Sequence, residues 1–333
     1  MPYSHERQIF YLPLSTNRAC SKFSCEFLLK NAIIFPTSKQ TRSFHYLLRR
    51  DLSMSSQKVW FVTGVSMGFG RCLVDAILDA GDCVYGTLRQ SAQIDEFNAH
   101  YAGKPAYPLL MDVNNPEQRR AAIERILEVH GRIDVLVNNA GYGFFGAIEE
   151  ATLQDARDQM ETNFFSVLAL TQEVLPLMRQ QCSGHIVQIS SVAGIAALPG
   201  LGIYNASKFA LEGFSEALAQ EVAPLSIGVT LVEPGPFRTA WAGASSTTAT
   251  KRIKDYATTA HLTMDTIHGY SGKQAGDPVK AAALIVRAIR SGNAPLRLPL
   301  GHIAIDRIRK KWQSFEQEIA TWEQESIATS YDA

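Results

Sequence analysis

The sequence predicts an α/β fold: one doubly wound parallel sheet of about seven strands, with helices on both faces. Three observations carry this. From Lys58 onward, short apolar runs alternate with stretches of helical periodicity. The apolar runs are continuous, which is the pattern of strands covered on both faces. Gly81, Pro116, Gly131 and Thr152 stand at changeovers, where helix starts and stops need such residues.

The elements follow in order. "KVWFVTG" (58–64) is a first strand ending in glycine, and "GRCLVDAILDAG" (70–81) is a helix stopped by Gly81. "CVYGTL" (83–88) and "YPLLMDV" (107–113) are the second and third strands. "PEQRRAAIERILEVHG" (116–131) is a helix, and "DVLVNNAG" (134–141) is a fourth strand running into a turn. A long helix covers roughly 152–180, capped by Thr152, before a fifth strand "HIVQIS" (185–190). A helix at about 204–222 leads to a sixth strand, "IGVTLVEPG" (227–235). "DPVKAAALIVRAIRSG" (277–292) is another helix, "LRLPLG" (296–301) an edge strand, and the charged tail to about 326 a last helix. No repeat or low-complexity linker interrupts 54–333, so it reads as one domain. It carries an irregular substrate loop at about 236–275 and a helical tail at about 302–326.

The 333 residues are 46% hydrophobic and 19% charged with no net charge, so nothing suggests a nucleic-acid surface. Residues 1–53 differ: eight Lys/Arg against three Asp/Glu, many Ser and aromatics, and no periodicity. Three readings compete for this leader: a transit peptide, a start-site extension or unstructured segment ahead of Met54, or an ordered extension. The expected compartment is the cytoplasm, or the mitochondrion if the leader is a transit peptide. Cys20, Cys25, Cys72, Cys83 and Cys182 lack metal spacing and read as free thiols, with no metal site. No run of about 18 apolar residues is present, so no membrane span is expected.

"TGVSMGFG" (63–70) joins the first strand to the first helix. Gly64, Gly68 and Gly70 allow a tight turn and a close backbone approach to a pyrophosphate at the helix N-terminus. Such a string arises by chance in about one chain in a hundred or fewer. "YNASK" places Tyr204 and Lys208 one helical turn apart on one face. An ammonium there is expected to lower the phenol's pKa and make it a usable proton donor. With 11 tyrosines in the chain, roughly half a Tyr-x-x-x-Lys match is expected by chance, so the pair needs support from elsewhere.

The support is a resemblance. "TGVSMGFG", "NNAG" (138–141), "ISSVAG" (189–194), "YNASK" and "PGPFRT" (234–239) stand in the order and spacing of the classical short-chain dehydrogenase/reductase family. The resemblance covers nearly all of 58–300 and implies a single Rossmann-type domain and NAD(P)-dependent interconversion of a ketone or aldehyde with an alcohol. It implies Asn163, Ser191, Tyr204 and Lys208 as catalytic residues: Tyr204 moves the proton, Ser191 donates to the same oxygen, and Asn163 holds a relay water through its side chain. Lys208 would lower the Tyr204 pKa and bond the nicotinamide ribose. Ser190 and Ser191 are ambiguous from the residues alone; the interval to Tyr204 in relatives favours Ser191, with Ser190 supporting it. His185 reads as structural.

For the cofactor, the resemblance implies contacts from Thr63, Gly64, Ser66, Gly68, Gly70, Asp112, Val113, Asn139, Tyr204, Lys208, Pro234, Gly235 and Thr239. At the end of the second strand, Leu88 replaces an expected acid and Arg89 follows. A guanidinium suits a ribose 2′-phosphate, so NADP is expected over NAD. Tyr142, Phe144, Phe145, Ala193, Ile195, Leu198 and the loop after Thr239 are expected to form an apolar substrate wall, suited to a lipophilic alcohol or ketone. The nearest branch is that of hydroxysteroid and retinol dehydrogenases and unassigned bacterial and fungal reductases. Two other readings stay open: a non-catalytic NADP-binding sensor on the same fold, and a nucleotide-sugar epimerase or dehydratase, whose Gly-x-x-Gly-x-x-Gly spacing this chain lacks. Apolar faces on the helices at 152–180 and 204–222 suggest a homodimer or homotetramer.

Overall fold

A computed structural model describes residues 57–331 except 244. They belong to the unit Ser56–Ala333; the leader expectation for 1–53 lies outside the described residues. Seven parallel strands form the main sheet: β1 (Val59–Val62), β2 (Cys83–Leu88), β3 (Ala106–Leu110), β4 (Val135–Asn138), β6 (Gly184–Ile189), β7 (Ile227–Pro234) and β9 (Arg297–Leu300), in the order β3-β2-β1-β4-β6-β7-β9. Chain order reverses between β1 and β4, which opens a crevice at the carboxyl ends of the strands.

Strand alternation divides the core. Trp60, Val62, Val84 and Val137 pack with helices α1 (Gly68–Asp79), α2 (Ser91–His100) and α8 (Pro278–Arg290). Val59, Phe61, Tyr85, Leu136 and Ile186 face the other way, against α3 (Pro116–His130), α5 (Ser166–Gln181) and α6 (Gly202–Val222). The caps sit where the composition places them. Asn115 accepts from the amides of Glu117 and Gln118 at 3.0 and 3.1 Å, and Asp277 accepts from Val279 at 2.9 Å.

Three features depart from expectation. The helix predicted at 152–180 is divided into α4 (Leu153–Met160), a π turn (Glu161–Phe165) and α5. The segment 240–275 contains β8 (Ser246–Thr248), paired with β5 (Gly143–Phe145), and α7 (Ala260–Gly269). The free-thiol reading holds for Cys72 and Cys83. It does not hold at Cys182, an exposed residue at the left-handed C-cap of α5 that is not a free thiol. Among the described residues, no helix is long and apolar enough to cross a membrane. The final helix, α9, spans His302–Ile327.

Candidate active site

The crevice holds a cavity of about 940 Å³. Its floor is the turn from β1 into α1. Gly64 (φ 71°) and Gly68 (φ 59°) adopt left-handed backbone conformations that disfavour a side chain. A Cβ on Gly70 would lie 2.1 Å from the Gly64 carbonyl oxygen and 2.7 Å from Asn139 Nδ2. The turn is braced from β4: Asn139 Nδ2 donates to the carbonyls of Thr63 and Gly64, both at 2.8 Å, and Thr63 Oγ1 accepts from the amides of Asn139 and Ala140 at 2.9 Å. The first turn of α1 has no side-chain cap and no acid, so its field and amides favour an anion in the cavity. Gly70→Ala is expected to destabilise the fold by about 1–3 kcal/mol and to abolish nucleotide binding, as read by urea unfolding and NADPH fluorescence.

Most of the predicted site residues line this one cavity: Gly64, Ser66 and Gly68 from the turn, Arg89 after β2, Asp112 and Val113 after β3, Asn139 after β4, Ser191 after β6, Tyr204 and Lys208 on α6, and Pro234, Gly235 and Thr239 at and after β7. Thr63, Gly70 and Asn163 are not on its wall. Thr63 and Gly70 instead shape the turn. Arg89 is exposed and makes no ion pair among the described residues.

At the reacting centre, Tyr204 is 5% and Lys208 7% exposed. Lys208 Nζ donates to the Ile189 carbonyl at 2.8 Å and lies 5.8 Å from the centre of the Tyr204 ring. The expected downward shift of the phenol does not arise from the chain alone. Burial pushes Tyr204 up to about 12, and the Ser191 hydroxyl pulls it back through a hydrogen bond. Lys208 is itself pushed down to about 8 by burial, against the pull of Glu212. Desolvation is therefore the largest influence on both groups.

Asn163 is held by contacts within the protein. In the π turn its Oδ1 accepts from the Tyr142 amide at 3.1 Å, and its Nδ2 donates to the Tyr142 carbonyl and Ser207 Oγ at 3.0 and 3.1 Å. With both amide protons committed to the protein, the side chain braces the turn after β4, and the second lone pair of Oδ1 is what it could offer a relay water. Ser190 donates to Glu212 Oε1, which fits a supporting serine beside Ser191. His185, pushed down to about 4 by burial, pairs with Thr230 Oγ1 at 2.9 Å away from the cavity.

The substrate wall is partly as expected. Tyr142, Ala193 and Leu198 line the cavity, whereas Ile195 does not. Phe144 and Phe145 are buried behind it, because β5 pairs with β8 and turns them into the protein. The aromatic surface comes from Trp241, whose ring lies 5.0 Å from Tyr204 and 5.4 Å from Phe145. Leu201, and Ile267 of α7, extend the apolar wall. Beneath α7, buried Glu150 accepts from the amides of Ala147 and Ile253 at 2.9 and 2.5 Å and pairs with His261 Nε2 at 2.7 Å, which ties the segment to the body.

Sequence reasoning also missed a partly buried charge network behind the serines, in which Glu212 and Glu233 are buried and Arg297 and Glu216 reach solvent. Arg297 NH1 contacts Glu212 Oε2 and Glu233 Oε1, each at 2.6 Å, and NH2 contacts Glu216. The available signal was Glu212, one turn beyond Lys208 on the same face of α6.

The short chain dehydrogenase family model matches residues 58–250. The chain belongs to the short-chain dehydrogenase/reductase family. A short-chain dehydrogenase from Streptomyces avermitilis has a similar solved structure: TM-score 0.77 and 40% identity, covering 83% of this chain and all (100%) of that one. Oxidoreductase BOA17 of Botryotinia fuckeliana (strain B05.10) is 36% identical over 273 residues, 82% of this chain and 99% of the relative. A 3-ketodihydrosphingosine reductase of Bacteroides thetaiotaomicron is 38% identical over 245 residues, 73% of this chain and 88% of the relative. As a short-chain dehydrogenase, the chain is an oxidoreductase that uses a nicotinamide cofactor and acts on the alcohol or carbonyl group of a small molecule. Its residues fit that cofactor: the glycine turn and uncapped α1 suit a pyrophosphate, and the crevice lies at the strand-order reversal.

Proposed function

We propose that this short-chain dehydrogenase is an NADPH-dependent reductase of ketones or aldehydes on lipophilic small molecules, with Tyr204 as general acid, and general base in reverse. One observation carries the reading: a single cavity gathers Ser191, Tyr204 and Lys208 with the glycine turn, Arg89 and an apolar wall. A nicotinamide held beside Tyr204 and Lys208 would supply the hydride and, as it gave it up, a positive charge. Negative charge then grows on the carbonyl oxygen, where Ser191 donates a hydrogen bond and Tyr204 gives up its proton. Lys208, fixed to Ile189, restores positive charge beside the phenolate. Trp241, Leu198, Leu201 and Ile267 exclude water and take the apolar part of the substrate. The name of the Bacteroides relative, a reductase of a keto lipid, supports a substrate of that character.

Arg89 supports NADPH over NADH: it reaches the cavity from the end of β2, and among the described residues no protein anion pairs with it. Arg89→Asp is expected to lower kcat/KM for NADPH by about 10–100-fold, the worth of a charge-assisted hydrogen bond, and to spare NADH. The test of the whole reading is NADPH oxidation across a panel of long-chain and polycyclic ketones. Turnover on at least one member that disappears in Tyr204→Phe is the expected result. Tight NADPH binding with no turnover on any member would overturn it in favour of a sensor.

A further inference from the structure

Helix α9 leaves the body soon after it starts. Ala304 is its one buried residue, and every residue from 309 to 331 is exposed. At about 1.5 Å per residue, the part from 309 to 327 projects about 28 Å. Such a helix is marginal alone in water, yet this one exposes Trp312 (58%), Phe315 (46%), Ile319 (44%) and Trp322 (64%). With Ile308, these residues recur at alternating intervals of four and three, which is a heptad seam. The positions flanking the seam are segregated by charge: Arg309 and Lys311 near the body, then Glu316, Glu318, Glu323 and Glu325.

We propose that α9 is a self-association helix that pairs antiparallel with α9 of a second copy of this chain. Antiparallel pairing sets Arg309 beside Glu316 and Lys311 beside Glu318 of the second copy, and two-fold symmetry makes each pair twice. The same register stacks Trp312 on Phe315 and Ile308 on Ile319. Parallel pairing would set Lys311 beside Glu316 but also Glu318 beside Glu323, and would leave Arg309 beside Ala304, so it recovers fewer attractive contacts. A membrane is a poorer occupant, because four glutamates flank the outer half of the stripe and oppose an anionic lipid surface. The surface is separate from the α5 and α6 faces that the sequence reading assigned to oligomer contacts, and it does not depend on the proposed substrate.

The test uses the full chain and two charge-reversed variants, Arg309→Glu/Lys311→Glu and Glu316→Lys/Glu318→Lys, with thermal unfolding to confirm that each is folded. Light scattering is expected to give each variant alone half the wild-type mass or less. Mixing the two is expected to restore the wild-type mass, because the mixed pair recovers all four contacts. Variants that keep the wild-type mass would overturn the proposal, as would a mixture that fails to recover it. A wild-type chain that has the variants' mass and sediments with phosphatidylcholine–phosphatidylserine vesicles would assign α9 to a membrane instead.

Discussion

Tyr204→Phe is expected to slow carbonyl reduction by about 10²–10⁴-fold, the range for loss of a general acid, while NADPH still binds. The ring is almost fully buried and packs on Trp241 at 5.0 Å, and phenylalanine keeps that contact. Only the hydroxyl is lost, and with it the proton. Ser191 can still polarise the carbonyl through a hydrogen bond but is a far weaker acid than a phenol. The loss should therefore appear in kcat, with cofactor affinity by NADPH fluorescence retained. In the wild type, reduction is expected to decline as pH rises through about 8, where buried Lys208 loses its charge. A pH profile of single-turnover NADPH oxidation reads both effects.

Arg297→Met is expected to destabilise the fold by about 3–5 kcal/mol, measured by urea unfolding near pH 8. Glu212 and Glu233 are buried, and Arg297 is the cation that contacts both. Removing it leaves two carboxylates facing each other out of water. The pH dependence gives the mechanism a sign. Burial, together with Glu212, raises Glu233 to about 7 despite the arginine. A carboxyl raised in the folded state binds its proton more tightly there than in the unfolded chain, where its pKa is about 4.3. Its favourable contribution is thus complete below about 4.3 and is lost as pH climbs to about 7. In Arg297→Met the deficit should be largest above pH 7 and should shrink on acidification. Because Glu212 also holds Ser190 and acts on Lys208, the variant should lose activity before it unfolds.

The main sheet was legible because its central strands are short apolar runs buried on both sides, as in β1, where all four residues are buried. The cavity wall was legible through the family resemblance, whose glycine string, Ser191 and Tyr204–Lys208 pair stand with Arg89 at strand ends and helix starts that open on one cavity. What escaped depends on distant pairing. Phe144 and Phe145 read as pocket residues until β8, about a hundred residues on, covers their strand. Trp241 gave no periodic signal, and Arg297 meets Glu212 only because β9 lies beside β7. The sign of the Tyr204 shift escaped for another reason. Sequence spacing reports the neighbouring charge but not how much water burial removes, and here burial is the larger effect.

That balance makes the phenol itself the place to test the account. Tyrosinate absorbance, taken as wild type minus Tyr204→Phe, can be titrated with and without NADP+. The account predicts a phenol that stays protonated to about pH 10 in the free protein and ionises at least about two pH units lower with NADP+ bound. Ionisation at the same pH with and without NADP+, or near neutrality in the free protein, would contradict it.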